Sequence, residues 1–140
     1  MIVVDTSFVY ALLDRRDSRH AQAVGWYERV DAELVTTPLV VAEVDHLAGT
    51  RAGAPAQRAF RHDLAAGAYF VDWWPTAPVE IVEIAERYGG LSLSLTDASL
   101  VALAGRVGTA TVATFDERHF RAVRPLTGAA AFSVLPADVA

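Results

Sequence analysis

There is no cysteine in the chain. Disulfides, thiolate catalysis and cysteine-ligated zinc are therefore excluded, and the absence is compatible with a reducing cytoplasm. Lysine is missing as well, so all twelve basic residues are arginine. Arginine's planar fork suits phosphate, although a GC-rich coding sequence leaves the same bias. No apolar run approaches a membrane span. The apolar start, Ile2 to Val4, is too short for a signal peptide. Neither a P-loop nor a G-x-G-x-x-G follows a strand, which argues against a nucleotide cofactor. Gly90-Leu91-Ser92-Leu93-Ser94 is not the G-x-S-x-G of a nucleophile elbow. His20, His46, His62 and His119 have no zinc spacing; they read as surface or packing residues, His119 being the one near a candidate site.

Positive charge is scarce. The net charge of −5 disfavours loose electrostatic binding of nucleic acid. Apolar residues are plentiful at 53%, enough for a full core with some surface left for a partner. The length fits one domain over residues 1–140.

Ile2-Val3-Val4 reads as a parallel strand covered on both faces. Thr6 or Ser7 then offers a hydroxyl to cap a helix over Phe8–Leu13. A second helix is expected from Asp17 or Ser18 to about Val30, and a strand over Leu34–Thr36. Thr37-Pro38 opens a helix that runs to about Arg51, with Thr37 as its cap. Further helices are expected over Ala56–Ala66, about Pro78–Tyr88, and Asp97 to about Val107 under a Thr96 cap. The remaining strands are Tyr69–Val71, Thr111–Thr114 and an edge strand over Ala131–Leu135, with a short helical turn from Asp116 to Phe120. Strands alternating with helices predict an α/β domain: a parallel sheet with helices on both faces.

In such sheets ligands sit at the carboxyl ends of the strands. Asp5 ends the first strand, and Asp116 closely follows the fourth. Asp97 occupies the first turn of a helix, where it also complements the dipole. Glu43 stands in the apolar run Val40–Val44 and is expected to share a face with core residues. Each acid has a plainer reading, as a cap, a turn former or an arginine's partner. Asp45 points nearly opposite to Glu43 and is the weaker candidate.

If the four acids meet, they raise each other's proton affinity. A hard divalent cation relieves that. Mg²⁺ binds carboxylates while sharing substrate phosphates, and Mn²⁺ accepts the same ligands. The natural chemistry is phosphodiester hydrolysis. Neutralising the four acids leaves the remaining chain at −1, which no longer strongly repels a polyanion. Arg15, Arg16 and Arg19 after the first helix, and Arg118 and Arg121 after Asp116, are candidate phosphate contacts or a solvated charged face. Trp73-Trp74 offers base stacking or, more simply, packing.

At these residues the chain resembles the PIN-domain ribonucleases, specifically the VapC toxins of bacterial toxin–antitoxin modules. The motifs are Val4-Asp5-Thr6-Ser7, Pro38 to Glu43, Thr96-Asp97-Ala98 with its Ala/Leu-rich helix, and Thr114-Phe115-Asp116 with His119-Phe120. Asp17 and His20 also fit the pattern. The resemblance implies a five-stranded parallel sheet in the order 3-2-1-4-5. It implies Mg²⁺- or Mn²⁺-dependent cleavage of structured RNA, such as a tRNA or rRNA loop. Asp5 and Asp97 would be the principal metal ligands, Glu43 and Asp116 would complete the shell, and the Ser7 and Thr114 hydroxyls would line the site. It further implies a homodimer held inactive by a VapB-type antitoxin, in the cytoplasm. The rival readings are a PIN-like module that binds RNA or protein without cutting, and a metal-dependent phosphatase or DNA nuclease built on the same acids.

Overall fold

Ile2, Val3 and Val4 form strand β1 (Ile2–Val4), buried along its whole length as β-branched residues at the centre of a sheet should be. Four more strands follow: β2 (Leu34–Thr36), β3 (Phe70–Val71), β4 (Thr111–Ala113) and β5 (Ser133–Leu135). All pair in parallel, in the expected order β3-β2-β1-β4-β5. Val3 stands opposite Val35 on one side and Val112 on the other. The computed structural model describes residues 1–138; positions 139–140 of the domain expected over 1–140 lie outside the described residues.

Seven α-helices connect and cover the strands: α1 (Thr6–Leu13), α2 (His20–Tyr27), α3 (Pro38–Leu47), α4 (Ala54–Ala65), α5 (Ala77–Arg87), α6 (Leu95–Val107) and α7 (Glu117–Ala122). The chain moves outward from β1 to β3, then returns across to β4 and β5. Right-handed crossovers therefore put α1–α4 on one face and α5–α7 on the other. The reversal falls between β1 and β4, so the carboxyl ends of those two strands frame a crevice. Helix α6 is buried at every position from Ala98 to Ala104, which explains why its sequence is small and apolar all round.

The helix starts differ from expectation. Neither Thr6 nor Ser7 caps α1; Asp5 does, its Oδ1 accepting the Phe8 N–H at 3.1 Å. Thr6 Oγ1 has no hydrogen-bond partner and is the one such buried side-chain atom among the described residues. Ser94, not Thr96, caps α6 by accepting the Asp97 N–H at 3.0 Å. Thr37 precedes α3 without a side-chain cap, because its hydroxyl bonds Ser99 on α6 instead, at 2.8 Å. Helix α2 is shorter than expected, since Asp17 spends its carboxylate on a turn with the Arg19 N–H at 2.8 Å. The helix expected to reach Arg51 is α-helical only to Leu47 and continues as a π-helical turn over Ala48–Ala52. No helix among the described residues is long and apolar enough to cross a membrane.

Candidate active site

Asp5 leaves β1 into the crevice and is 4% exposed. Its Oδ1 accepts from Ser7 Oγ at 2.7 Å as well as from Phe8, and its Oδ2 accepts from Thr114 Oγ1. The two hydroxyls also receive the next loop: Phe115 N–H donates to Ser7 Oγ and Asp116 N–H to Thr114 Oγ1, each at 2.9 Å. Asp5 is thereby tied to the segment that delivers Asp116. Burial pushes its pKa up to about 6; the three hydrogen bonds pull the other way, and the nearby Asp97 charge adds to the rise.

Asp97 comes from the first turn of α6 and is mostly buried. Desolvation holds its carboxyl above the usual range, with Asp116 adding to the effect and Ser94 and His119 opposing it. His119, on α7, places Nδ1 3.1 Å from Asp97 Oδ2 and 3.3 Å from Asp116 Oδ2. Arg118 Nη2 lies 3.4 Å from the other ring nitrogen. Carboxylates accept, so Nδ1, the ring nitrogen facing the acids, is the one that donates to them. Ligand atoms of Asp97, Asp116 and His119 all lie within 4.8 Å of one another.

Glu43 corrects the reading of its own run. The buried line of α3 is Thr37, Val40, Val44 and then Ala48, and Glu43 sits about 100° round the helix from Val44. It is exposed rather than on the core face. Its carboxylate nevertheless turns to the crevice, with Thr96 Oγ1 at a long 3.5 Å. Asp5, Glu43, Asp97 and Asp116 all line one cavity of about 390 Å³, together with Asp17. A larger apolar groove of about 700 Å³, between α3, α4 and β3, holds none of them; Asp45 lies there, paired with Arg61 at 2.7 Å.

The donor set fits a hard divalent cation. Asp5 is buried and Asp97 largely so, the Asp97 charge raises the proton affinity of Asp5, Asp116 does the same to Asp97, and the wall is oxygen-rich. Ser7 and Thr114 act on Asp5 directly, as hydroxyls that hold it.

The arginines divide. Arg15 and Arg16 line a separate cavity near Ala52 and Pro55, and Arg121 is committed to Glu117 and Asp138 at 2.8 and 2.7 Å. Arg118 leans on His119. Arg19 does line the acidic cavity, and so does Arg51, which the sequence offered no reason to single out. Trp74 is buried and donates to Glu80, while Trp73 is 42% exposed and neither lines the acidic cavity.

Comparison with known proteins gives the family and the fold. Residues 2–125 match the PIN domain family. The chain is 36% identical over 136 residues to ribonuclease VapC26 of Mycobacterium tuberculosis (strain ATCC 25618 / H37Rv), spanning 96% of this chain and all of that one. Among solved structures, VapC20 of Mycobacterium tuberculosis, a toxin that cleaves the sarcin–ricin loop, superposes with a TM-score of 0.79 at 25% identity, covering 84% of this chain and 92% of that one. FitAcB of Neisseria gonorrhoeae shares the fold, with a TM-score of 0.60 at 20% identity over 96% of each chain. With the acids at the carboxyl edge of a 3-2-1-4-5 sheet, and a relative matched from end to end, this chain belongs to the PIN-domain family, among its VapC ribonucleases.

Proposed function

We propose that the protein is a divalent-metal-dependent endoribonuclease, the toxin of a toxin–antitoxin pair, that hydrolyses a phosphodiester in a structured RNA loop. The observation that carries this reading is the convergence of Asp5, Glu43, Asp97 and Asp116 on one cavity at the sheet's switch point. The VapC20 likeness favours an rRNA loop over a tRNA as the substrate. Family membership supports a VapB-type antitoxin as partner, a homodimer and a cytoplasmic site of action.

In the proposed reaction Asp5, Asp97 and Asp116 would hold Mg²⁺ or Mn²⁺, with Glu43 completing the set from the same cavity. The cation supplies charge neutralisation at the phosphoryl oxygens and a more acidic water. The chain's own part is orientation. Ser7, Thr114 and the Phe8 amide fix Asp5 so that its carboxylate needs no rearrangement. His119 Nδ1–H steadies Asp97 against Asp116. Asp116, the more exposed of that pair, would take the proton of the attacking water, and the leaving ribose oxygen would take a proton from solvent as its bond to phosphorus breaks.

The test incubates purified protein with ribosomes, tRNA, single-stranded DNA and a small phosphate ester, each with Mg²⁺, Mn²⁺ or chelator, and maps the ends formed. Cleavage of one RNA at a discrete position, lost with chelator and in Asp97→Asn, is expected. Cutting that persists in Asp97→Asn, or DNA cut as readily as RNA, would overturn the reading.

A further inference from the structure

Five carboxylates line the acidic cavity, yet the two guanidiniums in the same wall, Arg19 and Arg51, form no ion pair among the described residues. Of the ten other arginines, Arg16, Arg61, Arg106 and Arg121 do pair, while Arg15, Arg29, Arg58, Arg87, Arg118 and Arg124 do not, but none of these six lines the acidic cavity. Arginine beside carboxylate pairs readily, so something holds these two away.

For Arg19 the restraint is aromatic. Its guanidinium carbon lies 5.1 Å from the centroid of the Phe115 ring. Phe115 in turn stacks on the buried Phe8 at 6.0 Å, and its N–H donates to Ser7, which holds Asp5. Arg19 is thus fixed relative to the catalytic acid without neutralising it. For Arg51 the restraint is the backbone. It sits in the π-helical turn Ala48–Ala52, a distortion that concentrates at functional sites, and its carbonyl accepts from Arg16 Nη2 at 2.5 Å. The wider turn rotates Arg51 out of the α3 register.

A nuclease of net charge −5 needs positive charge beside its acids for the phosphates that flank the scissile one. We infer that Arg19 and Arg51 form a two-armed grip for RNA phosphate oxygens at the rim of the acidic cavity. The inference rests on the ribonuclease reading above. It joins Arg51 to the candidate Arg19 and sets the two ahead of Arg15, Arg16, Arg118 and Arg121, which line another cavity, meet a histidine ring or pair with acids of their own.

The test measures anisotropy of a labelled single-stranded oligoribonucleotide on Asp97→Asn protein, which keeps the RNA intact, across a salt series. Steady-state kinetics on the otherwise unaltered enzyme accompany it. Arg19→Gln and Arg51→Gln should each weaken binding about tenfold at low salt and reduce the log–log salt slope by about 0.7. Each should raise KM with little change in kcat, the mark of a contact made equally in ground and transition states. Arg58→Gln, outside the cavity, should behave as wild type. Arg19→Lys should recover only part of the loss, because an ammonium lacks the plane that lies over Phe115. Both side chains are exposed, so thermal melts of the variants should match wild type. Unchanged affinity, slope and KM in both glutamine variants, with wild type still cutting RNA, overturns the grip alone. Equal losses in Arg58→Gln also overturn it, as a general charge effect. Wild-type protein that neither binds nor cuts RNA removes the nuclease reading and the grip together.

Discussion

The Thr114 hydroxyl donates to Asp5 Oδ2 from 109 residues further along the chain, and with Ser7 it is what keeps a buried carboxylate ionisable. Thr114→Val keeps the shape and removes that donor, and it also strips Asp116 N–H of its acceptor. One such bond is worth about 1.4 kcal/mol, so the Asp5 pKa should rise by roughly one unit above its value of about 6. Protons compete with the cation. The Mg²⁺-induced rise in melting temperature should therefore move to higher pH in Thr114→Val and in Ser7→Ala. An unmoved pH dependence in both would mean that the hydroxyls only close the loop.

Without metal, Asp5 should make the fold less stable as pH rises. Its native pKa is raised from 3.8 to about 6, so between those values the native state binds the extra proton. Stability from this group is complete below pH 3.8, declines through the window and levels above about 6, for a total near 3 kcal/mol. Asp138, held down to about 2 by Arg121, gives the opposite slope at lower pH, so the informative quantity is a difference curve. Asp5→Asn keeps an oxygen for the Phe8 N–H and removes the charge. In EDTA it should be more stable than wild type at pH 8, and the gap should close towards pH 4. Urea titrations across pH measure this; a gap that stays constant would place the cost elsewhere.

His119 is expected to act through the acids it touches. Its Nδ1–H faces Asp97 and Asp116, and removing it leaves two carboxylates opposed. His119→Leu should lower kcat/KM by about 10–100-fold and weaken Mg²⁺ binding comparably, the usual effect of losing a group that orients a ligand. His119→Gln, with an amide donor, should recover part of both. Wild-type Mg²⁺ affinity in His119→Leu would show that the ring merely fills space.

These residues also mark where the sequence was readable. The run Ile2–Val4 ending in Asp5 announces a buried strand with an acid at its carboxyl end, because β-branched continuity and a sudden charge are local signals. The strand order came through family likeness, since pairing partners such as Val3 and Val112 leave no local trace. Ser94 and Thr96 are equally good caps in sequence; only the chain's path decides which hydroxyl meets the Asp97 N–H. Glu43 looked buried because its neighbours are apolar, whereas the buried line passes through Val40 and Val44. His119 has no zinc spacing to other histidines, but its partners are carboxylates, and its i+3 spacing from Asp116 is the available clue. Arg51 carried no clue at all, because a π-helical turn has no sequence signature comparable to a cap.

One buried bond links the two helices that carry Glu43 and Asp97. Ser99 Oγ gives its proton to the Thr96 carbonyl at 2.6 Å, so at 2.8 Å from Thr37 it accepts, and the Thr37 hydroxyl donates. Both side chains are fully buried, so no water can substitute. The bond pins the start of α3 to the second turn of α6. Thr37→Val preserves volume and removes the donor, which should cost about 1–2 kcal/mol in urea unfolding. If the bond also sets the spacing of the cavity walls, kcat/KM should fall several-fold in Thr37→Val while Thr37→Ser, which keeps the hydroxyl, stays close to wild type. Lost stability with undiminished kcat/KM would confine the bond to the fold.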